Sequence, residues 1–144
     1  MTDFQRKSWI PVAPDSDFPL QNLPYGIFSA PGLPPQAGIA IGDQILILDR
    51  LAVLGHLDDL ALPANIFAQE TLNEFIALGK PYWKALRQKL SDLLSEDNDT
   101  LQPEQEHLFV AQAEAQMHLP VKIGDYTDFY SSIEHATNVG TMFR

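Results

Sequence analysis

Residues 125–144 combine carboxylates, phenols, hydroxyls, one imidazole and an arginine. A core helix places apolar residues every three or four positions and a half-buried strand alternates them, but this segment does neither cleanly. Titratable groups among apolar side chains are typical of catalytic sites, because apolar surroundings tune the pKa values of those groups. This segment is therefore the first candidate for a functional site.

His135 is the candidate general base of this segment, and it follows Asp128 by seven positions. If Ser131 or Ser132 caps a helix through residues 136–139, Asp128 lies just before its amino terminus. Backbone amides there favour a charged carboxylate, and a nearby metal ion would keep it ionised. These residue types predict a hard-cation carboxylate site with a histidine base.

The same residues also fit a structural role, with His135 as a polar core residue and Asp128 as a helix cap. Both interpretations stay open on residue types alone. The other histidines, His56, His107 and His118, lie in or beside predicted elements and are interpreted as structural. The sequence has no Gly-x-Ser-x-Gly elbow, no glycine-rich phosphate loop and no His-Glu-x-x-His helix, so those mechanisms are disfavoured.

The preceding chain predicts a small β-rich domain. Closely spaced prolines exclude a long helix over residues 8–35 and leave extended segments, the best strand being 26–30. Residues 37–41 and 44–48 predict a hairpin, with Gly42 in the first position of a type II′ turn. The second strand is apolar on both faces and should be interior. Several short strands, too few for a large sandwich, predict a small, partly open barrel.

A helical insertion is predicted near residues 71–95. Thr71 and Glu74 have the spacing of a capping box, and Gly79 is placed to end the first helix. Pro81 suits the first turn of a second helix, in which leucines and aromatic residues recur at three- to four-residue spacing.

The remaining segments suggest where the domain ends. The acidic residues 96–106 predict an exposed loop, and 117–119 predict a strand stopped by a proline. Residues 121–124 read as a linker. The predicted organisation is a barrel domain over 1–120, followed over 121–144 by a linker and the start of a further unit.

Composition narrows the class of protein. The chain has 144 residues, of which 45% are hydrophobic, so a core can form. Its formal net charge of −10 and pI near 4.5 would repel a phosphate backbone, which disfavours a nucleic-acid partner. The sequence has no cysteine, no signal-peptide pattern and no apolar run long enough for a membrane span, so a cytoplasmic protein without a membrane partner is expected.

Four blocks of sequence carry a resemblance. They read SWIPVAPDSDFPLQNLPYGIFS, GIAIGDQILIL, TLNEFIALGKPYWKALR and MHLPVKIGDYTDFYSSIEHATNVGTMFR. The last block is long and irregular, which makes it specific. Together the blocks resemble the amino-terminal part of the fumarylacetoacetase family of hydrolases in tyrosine and phenylalanine breakdown. The last block separates that family from related hydrolases, decarboxylases and isomerases.

The resemblance implies roles for four residues. Asp128, in Thr-Asp-Phe-Tyr, would be a ligand of Ca²⁺ or Mg²⁺, and His135, in His-Ala-Thr-Asn-Val-Gly, would be the base that activates water. Tyr130 and Arg144 would contact the substrate. The implied reaction hydrolyses a carbon-carbon bond of fumarylacetoacetate and releases fumarate and an acetoacetate enolate.

The family also implies an architecture. A small Src-homology-3-like, partly open β-barrel with a helical insertion, of mainly β with α (α+β) class, would precede a larger β-rich catalytic domain that forms a homodimer. The other metal ligands, the partner that orients the histidine and a lysine that stabilises the enolate would come from that catalytic domain. This chain is therefore expected to be an inactive amino-terminal part of the enzyme. The alternative is a non-enzymatic barrel module that binds a protein partner at an exposed sheet edge.

Overall fold

The computed structural model describes residues 6–125, 127 and 129–143 and is built on one five-stranded antiparallel sheet. The strands are β1 (Tyr25–Ala30), β2 (Leu33–Ile41), β3 (Gln44–Ile47), β4 (Phe109–Ala111) and β5 (Gln116–His118). Their order is β4-β3-β2-β1-β5, so the sheet does not close on itself. The predicted α+β class with a partly open, barrel-like sheet is confirmed.

Five α-helices accompany the sheet in the described ranges. They are α1 (Leu48–Val53), α2 (Asn73–Ala77), α3 (Lys80–Leu93), α4 (Gln105–Leu108) and α5 (Ile133–Met142). Helices α2 and α3 confirm the predicted helical insertion. Within the described residues, no helix is both long enough and apolar enough to cross a membrane.

The hairpin of β2 and β3 forms as predicted. Ile41 pairs with Gln44 across the Gly42-Asp43 turn, and only the glycine has a positive φ, of 55°. This is the pattern of a type II′ turn. Strand β3 lies between β2 and β4, which confirms that the doubly apolar strand is interior.

The main core lies between one face of the sheet and the helices. Strand residues such as Ile27 and Leu46 form one buried cluster with Leu86 and Leu90 of α3. Burying each such side chain contributes about 1.5–3 kcal/mol. The opposite face of the sheet holds a smaller cluster of Phe28, Ile45 and Ile47.

The proline-rich amino-terminal segment is an arm that wraps this core. Trp9 is bound through both its backbone and its side chain. Its backbone N–H donates to Leu94 O (3.2 Å), and its indole N–H donates to Leu93 O (3.0 Å). Farther along, Phe18 O accepts from Gly42 N at 2.8 Å. The arm therefore connects the end of α3 with the β2–β3 turn.

Two local predictions are wrong. Helix α2 begins at Asn73 with Leu72 as its N-cap and has no side-chain capping bond, so Thr71 and Glu74 do not form a capping box. The Leu72 N–H donates instead to Pro120 O at 2.7 Å, because the chain leaving β5 occupies this helix end. Residues 96–106 are not wholly exposed either, since Leu101 is fully buried and anchors the loop in the core.

Tyr25 provides a pH-dependent test of this core. Its hydroxyl is buried without a hydrogen-bond partner among the described residues. Burial raises the pKa of Tyr25, and the nearby Arg87 guanidinium opposes that rise. Above about pH 10 the unfolded chain loses the phenolic proton before the folded chain does, so stability falls as pH rises. We expect Tyr25→Phe to remove this alkaline loss and to be neutral or stabilising by up to ~1 kcal/mol near pH 8.

Urea unfolding of both proteins at about pH 8 and about pH 10.5 measures the effect. Tyr82→Phe, at the partly exposed start of α3, is the matched control and should keep the wild-type difference between the two pH values. A loss of more than about 1 kcal/mol in Tyr25→Phe near pH 8 would mean that the hydroxyl does make a bond in the folded protein.

Candidate functional site

The chain is fastened to α2 before it reaches the candidate site. Pro120 O accepts from Leu72 N, and the side-chain amide of Asn73 bonds to both backbone groups of Lys122. The two bonds of Asn73 measure 3.0 Å, from Nδ2 to Lys122 O, and 2.9 Å, from Lys122 N to Oδ1. Sequence reasoning missed this contact, because its two partners lie far apart in the chain.

Helix α5 carries the candidate base. Ser132 is its N-cap, in an extended conformation with φ −138° and ψ 153°, and its Oγ accepts from His135 N at 3.1 Å. Of the two candidate cap residues, Ser131 and Ser132, it is Ser132 that caps the helix. The cap fixes the helix start at Ile133 and places His135 in the first turn.

His135 and Tyr130 are the two predicted site residues that the structure brings together. Their ring centroids are 5.0 Å apart and the ring planes are tilted by 43°. This is an ordinary aromatic contact. Both side chains are exposed, Tyr130 by 52%. Asp128 and Arg144 lie outside the described residues, so their placement stays a prediction.

Helix α5 and the residues beside it expose large apolar side chains to solvent. Helix α5 has no buried residue. Four large apolar side chains in and beside it are at least 75% exposed, namely Phe129, Ile133, Met142 and Phe143. The described residues therefore leave helix α5 open to solvent.

The described residues do not form a metal centre by themselves, since no three of their His, Asp or Glu side chains are grouped as a metal site requires. Calcium takes six to eight oxygen ligands and magnesium an octahedron of about six. A carboxylate such as that of Asp128 is a suitable donor for either ion. Most ligands would have to come from other residues.

The other histidines have surroundings of a different kind. His56 Nε2 lies 2.9 Å from Glu104 Oε2, and His118 Nε2 lies 2.8 Å from Ser29 Oγ. His107 is exposed at the end of α4. The partners of His56 and His118 join separate segments of the barrel, which agrees with a structural role.

An apolar groove of about 240 Å³ lies on the second face of the sheet. Phe28, Ile45 and Met117 line it, and these side chains pack directly over Gly26 and Gly38, where a Cβ would clash with them. Neither Tyr130 nor His135 lines this groove. It is a separate feature of the barrel.

The amino-acid sequence of this chain is similar to a known protein family and to several of its members. The family model described as "Fumarylacetoacetase N-terminal" matches residues 21–120. The fumarylacetoacetase of Rattus norvegicus is 53% identical over 144 residues, covering 95% of this chain and 34% of the rat protein. The fumarylacetoacetases of Caenorhabditis elegans and Arabidopsis thaliana are 52% and 43% identical, each covering 96% of this chain and 34% of its relative. The chain thus spans about a third of the length of these relatives.

Proposed function

The chain belongs to the fumarylacetoacetase family, and from this membership we propose that it is the amino-terminal part of an enzyme that hydrolyses fumarylacetoacetate. The products are fumarate and acetoacetate. The observation that carries the proposal is the 53% identity over 144 residues to the rat enzyme. The capped helix that presents His135 beside Tyr130 supports it.

The proposed chemistry begins with His135. Its imidazole takes a proton from water, and the hydroxide so formed adds to the ketone carbon of the fumaryl group. The tetrahedral intermediate then breaks its carbon-carbon bond, so that acetoacetate leaves as an enolate and takes up a proton. One water is consumed, and its oxygen ends in fumarate. The exposed position of His135 in the first turn of α5 leaves its ring free to face a substrate.

Tyr130 and Arg144 are proposed to hold the substrate. The Tyr130 hydroxyl can donate a hydrogen bond, and its ring already contacts His135. An arginine can bind a carboxylate with two parallel hydrogen bonds, which suits the carboxylate ends of fumarylacetoacetate. These contacts would orient the ketone carbon toward the water that His135 activates.

Asp128 is proposed to contribute one carboxylate ligand to a Ca²⁺ or Mg²⁺ ion. When bound, such an ion polarises the oxygens of the β-diketone and stabilises negative charge on them. The remaining ligands, and the rest of the site, would come from a catalytic domain that covers the apolar side chains around α5. We place the whole enzyme in the cytoplasm as a homodimer.

The full-length protein should hydrolyse fumarylacetoacetate, whereas the 144-residue chain alone should not. Removal of divalent cations by a chelator should abolish turnover by the full-length protein, and added Mg²⁺ or Ca²⁺ should restore it. Substrate loss and fumarate formation, followed together, measure the reaction. A folded full-length protein that shows no hydrolysis with either cation would contradict the proposal.

A second candidate function is a non-enzymatic module that binds a protein partner. The apolar groove favours it, since Met117 of the edge strand β5 lines the groove and is 61% exposed. An extended peptide could pair with that edge and place a side chain in the groove. This function predicts peptide binding without any hydrolysis, so the same activity measurement separates the two.

A further inference from the structure

Asn73 makes a two-point contact with the chain that leads to the candidate site. Its amide donates to Lys122 O at 3.0 Å and accepts from Lys122 N at 2.9 Å. A side-chain amide has both a donor and an acceptor, so it can pair with both groups of one backbone residue. Paired bonds of this kind fix the direction of the bonded chain as well as its position.

The helix that carries Asn73 is itself firmly held. Phe75 of α2 is buried in the main core and packs against Phe67 and Tyr25. The Phe75 carbonyl also accepts from the Trp83 indole N–H at 3.0 Å, which joins α2 to α3. Asn73 therefore projects from a rigid part of the barrel.

The linker, by contrast, has little burial to hold it. Residues 122–125 are exposed, and the Ile123 side chain is 70% exposed. Three hydrogen bonds fasten residues 120–122 to the start of α2: Asn73 donates one to Lys122 O and accepts one from Lys122 N, and Leu72 N donates one to Pro120 O. Hydrogen bonds thus determine how this segment leaves the barrel.

We propose that Asn73 is a positioning residue for the hydrolysis, because it fixes the direction in which the chain leaves the barrel toward His135. The inference rests on the proposed function. His135 follows Lys122 by thirteen positions, so a change of direction at the linker shifts the whole segment that carries the base. A displacement of about 1 Å in a catalytic group can lower turnover by up to about 10²-fold.

Amide hydrogen exchange in the 144-residue chain tests the contact without any activity. Asn73→Ala removes both bonds and should accelerate exchange of the Lys122 N–H by about 10-fold. Asn73→Asp keeps the acceptor but loses the donor, so it should preserve part of the protection. Asn98→Ala is the control, since Asn98 Oδ1 accepts from Thr100 N within a separate loop. Unchanged exchange at Lys122 in Asn73→Ala would overturn the contact.

Turnover by the full-length protein tests the positioning role. Measured per folded molecule and below the unfolding temperature of every variant, kcat should fall about 10-fold in Asn73→Ala and less in Asn73→Asp. Asn98→Ala should keep the wild-type kcat. Faster exchange at Lys122 with an unchanged kcat would overturn the positioning role. If the wild-type protein shows no hydrolysis, the proposed function fails, and the role of Asn73 in hydrolysis fails with it. The exchange experiment still decides whether Asn73 holds Lys122.

Discussion

Replacing His135 with alanine in the full-length protein is expected to lower kcat for fumarylacetoacetate by about 10²- to 10⁴-fold. This range is what removal of a general base usually costs. The barrel should stay folded, because His135 is exposed and its helix has no buried residue in the described structure. Steady-state turnover at saturating substrate measures the effect, and urea unfolding checks the fold.

His107→Ala is the matched control for that experiment. His107 is also exposed, lies at the end of α4 and has no proposed role in the chemistry. Its replacement should leave kcat within about two-fold of the wild-type value. Near-normal turnover in His135→Ala would contradict the assignment of His135 as the base, whatever kcat the His107 variant shows.

Predictions from the sequence succeed where the cause of a structure is local. The β2–β3 hairpin follows from a glycine between two apolar runs, and the Ser132 cap follows from a serine just before a helical segment. Helix α3 follows from its leucine stripe, of which Leu86 and Leu90 are fully buried. In each case the residues that decide the structure lie within one turn or two of each other.

Predictions fail where the deciding partner is distant in the chain. Thr71 and Glu74 have the spacing of a capping box, but Pro120 O binds the N–H at that helix end. Leu101 lies in a polar, acidic segment, yet it is buried because the folded core reaches it. The Asn73–Lys122 contact joins residues that only tertiary structure brings together.

The candidate site, like the fold, could be predicted from the sequence only in part. Local spacing identifies His135 as a possible base and predicts its serine cap, and the structure adds the contact with Tyr130. Residue types alone leave a structural role open, so the chemical roles of Asp128, Tyr130 and Arg144 come from the family resemblance. The large apolar side chains in and beside α5 are exposed, so the described residues do not enclose a site.

Gly42→Ala is expected to produce the largest loss of stability among the predictions for the barrel. Gly42 has φ of 55°, a conformation that costs other residues roughly 1–2 kcal/mol. An added Cβ would also lie 2.4 Å from Pro11 O, a backbone atom that can move only if the arm moves. That movement would strain the bond from Gly42 N to Phe18 O. We expect a total loss of about 3–5 kcal/mol in the free energy of unfolding, measured by urea denaturation.

Gly32→Ala separates the two contributions. Gly32, in the turn between β1 and β2, also has a positive φ, of 76°, but an added Cβ there would meet no atom within 4 Å. It should cost only the conformational strain of about 1–2 kcal/mol. The difference between the two variants therefore measures how tightly the amino-terminal arm packs on the β2–β3 turn. Equal losses in both variants would show that the arm yields freely, and that its contacts with Gly42 contribute little to the stability of the barrel.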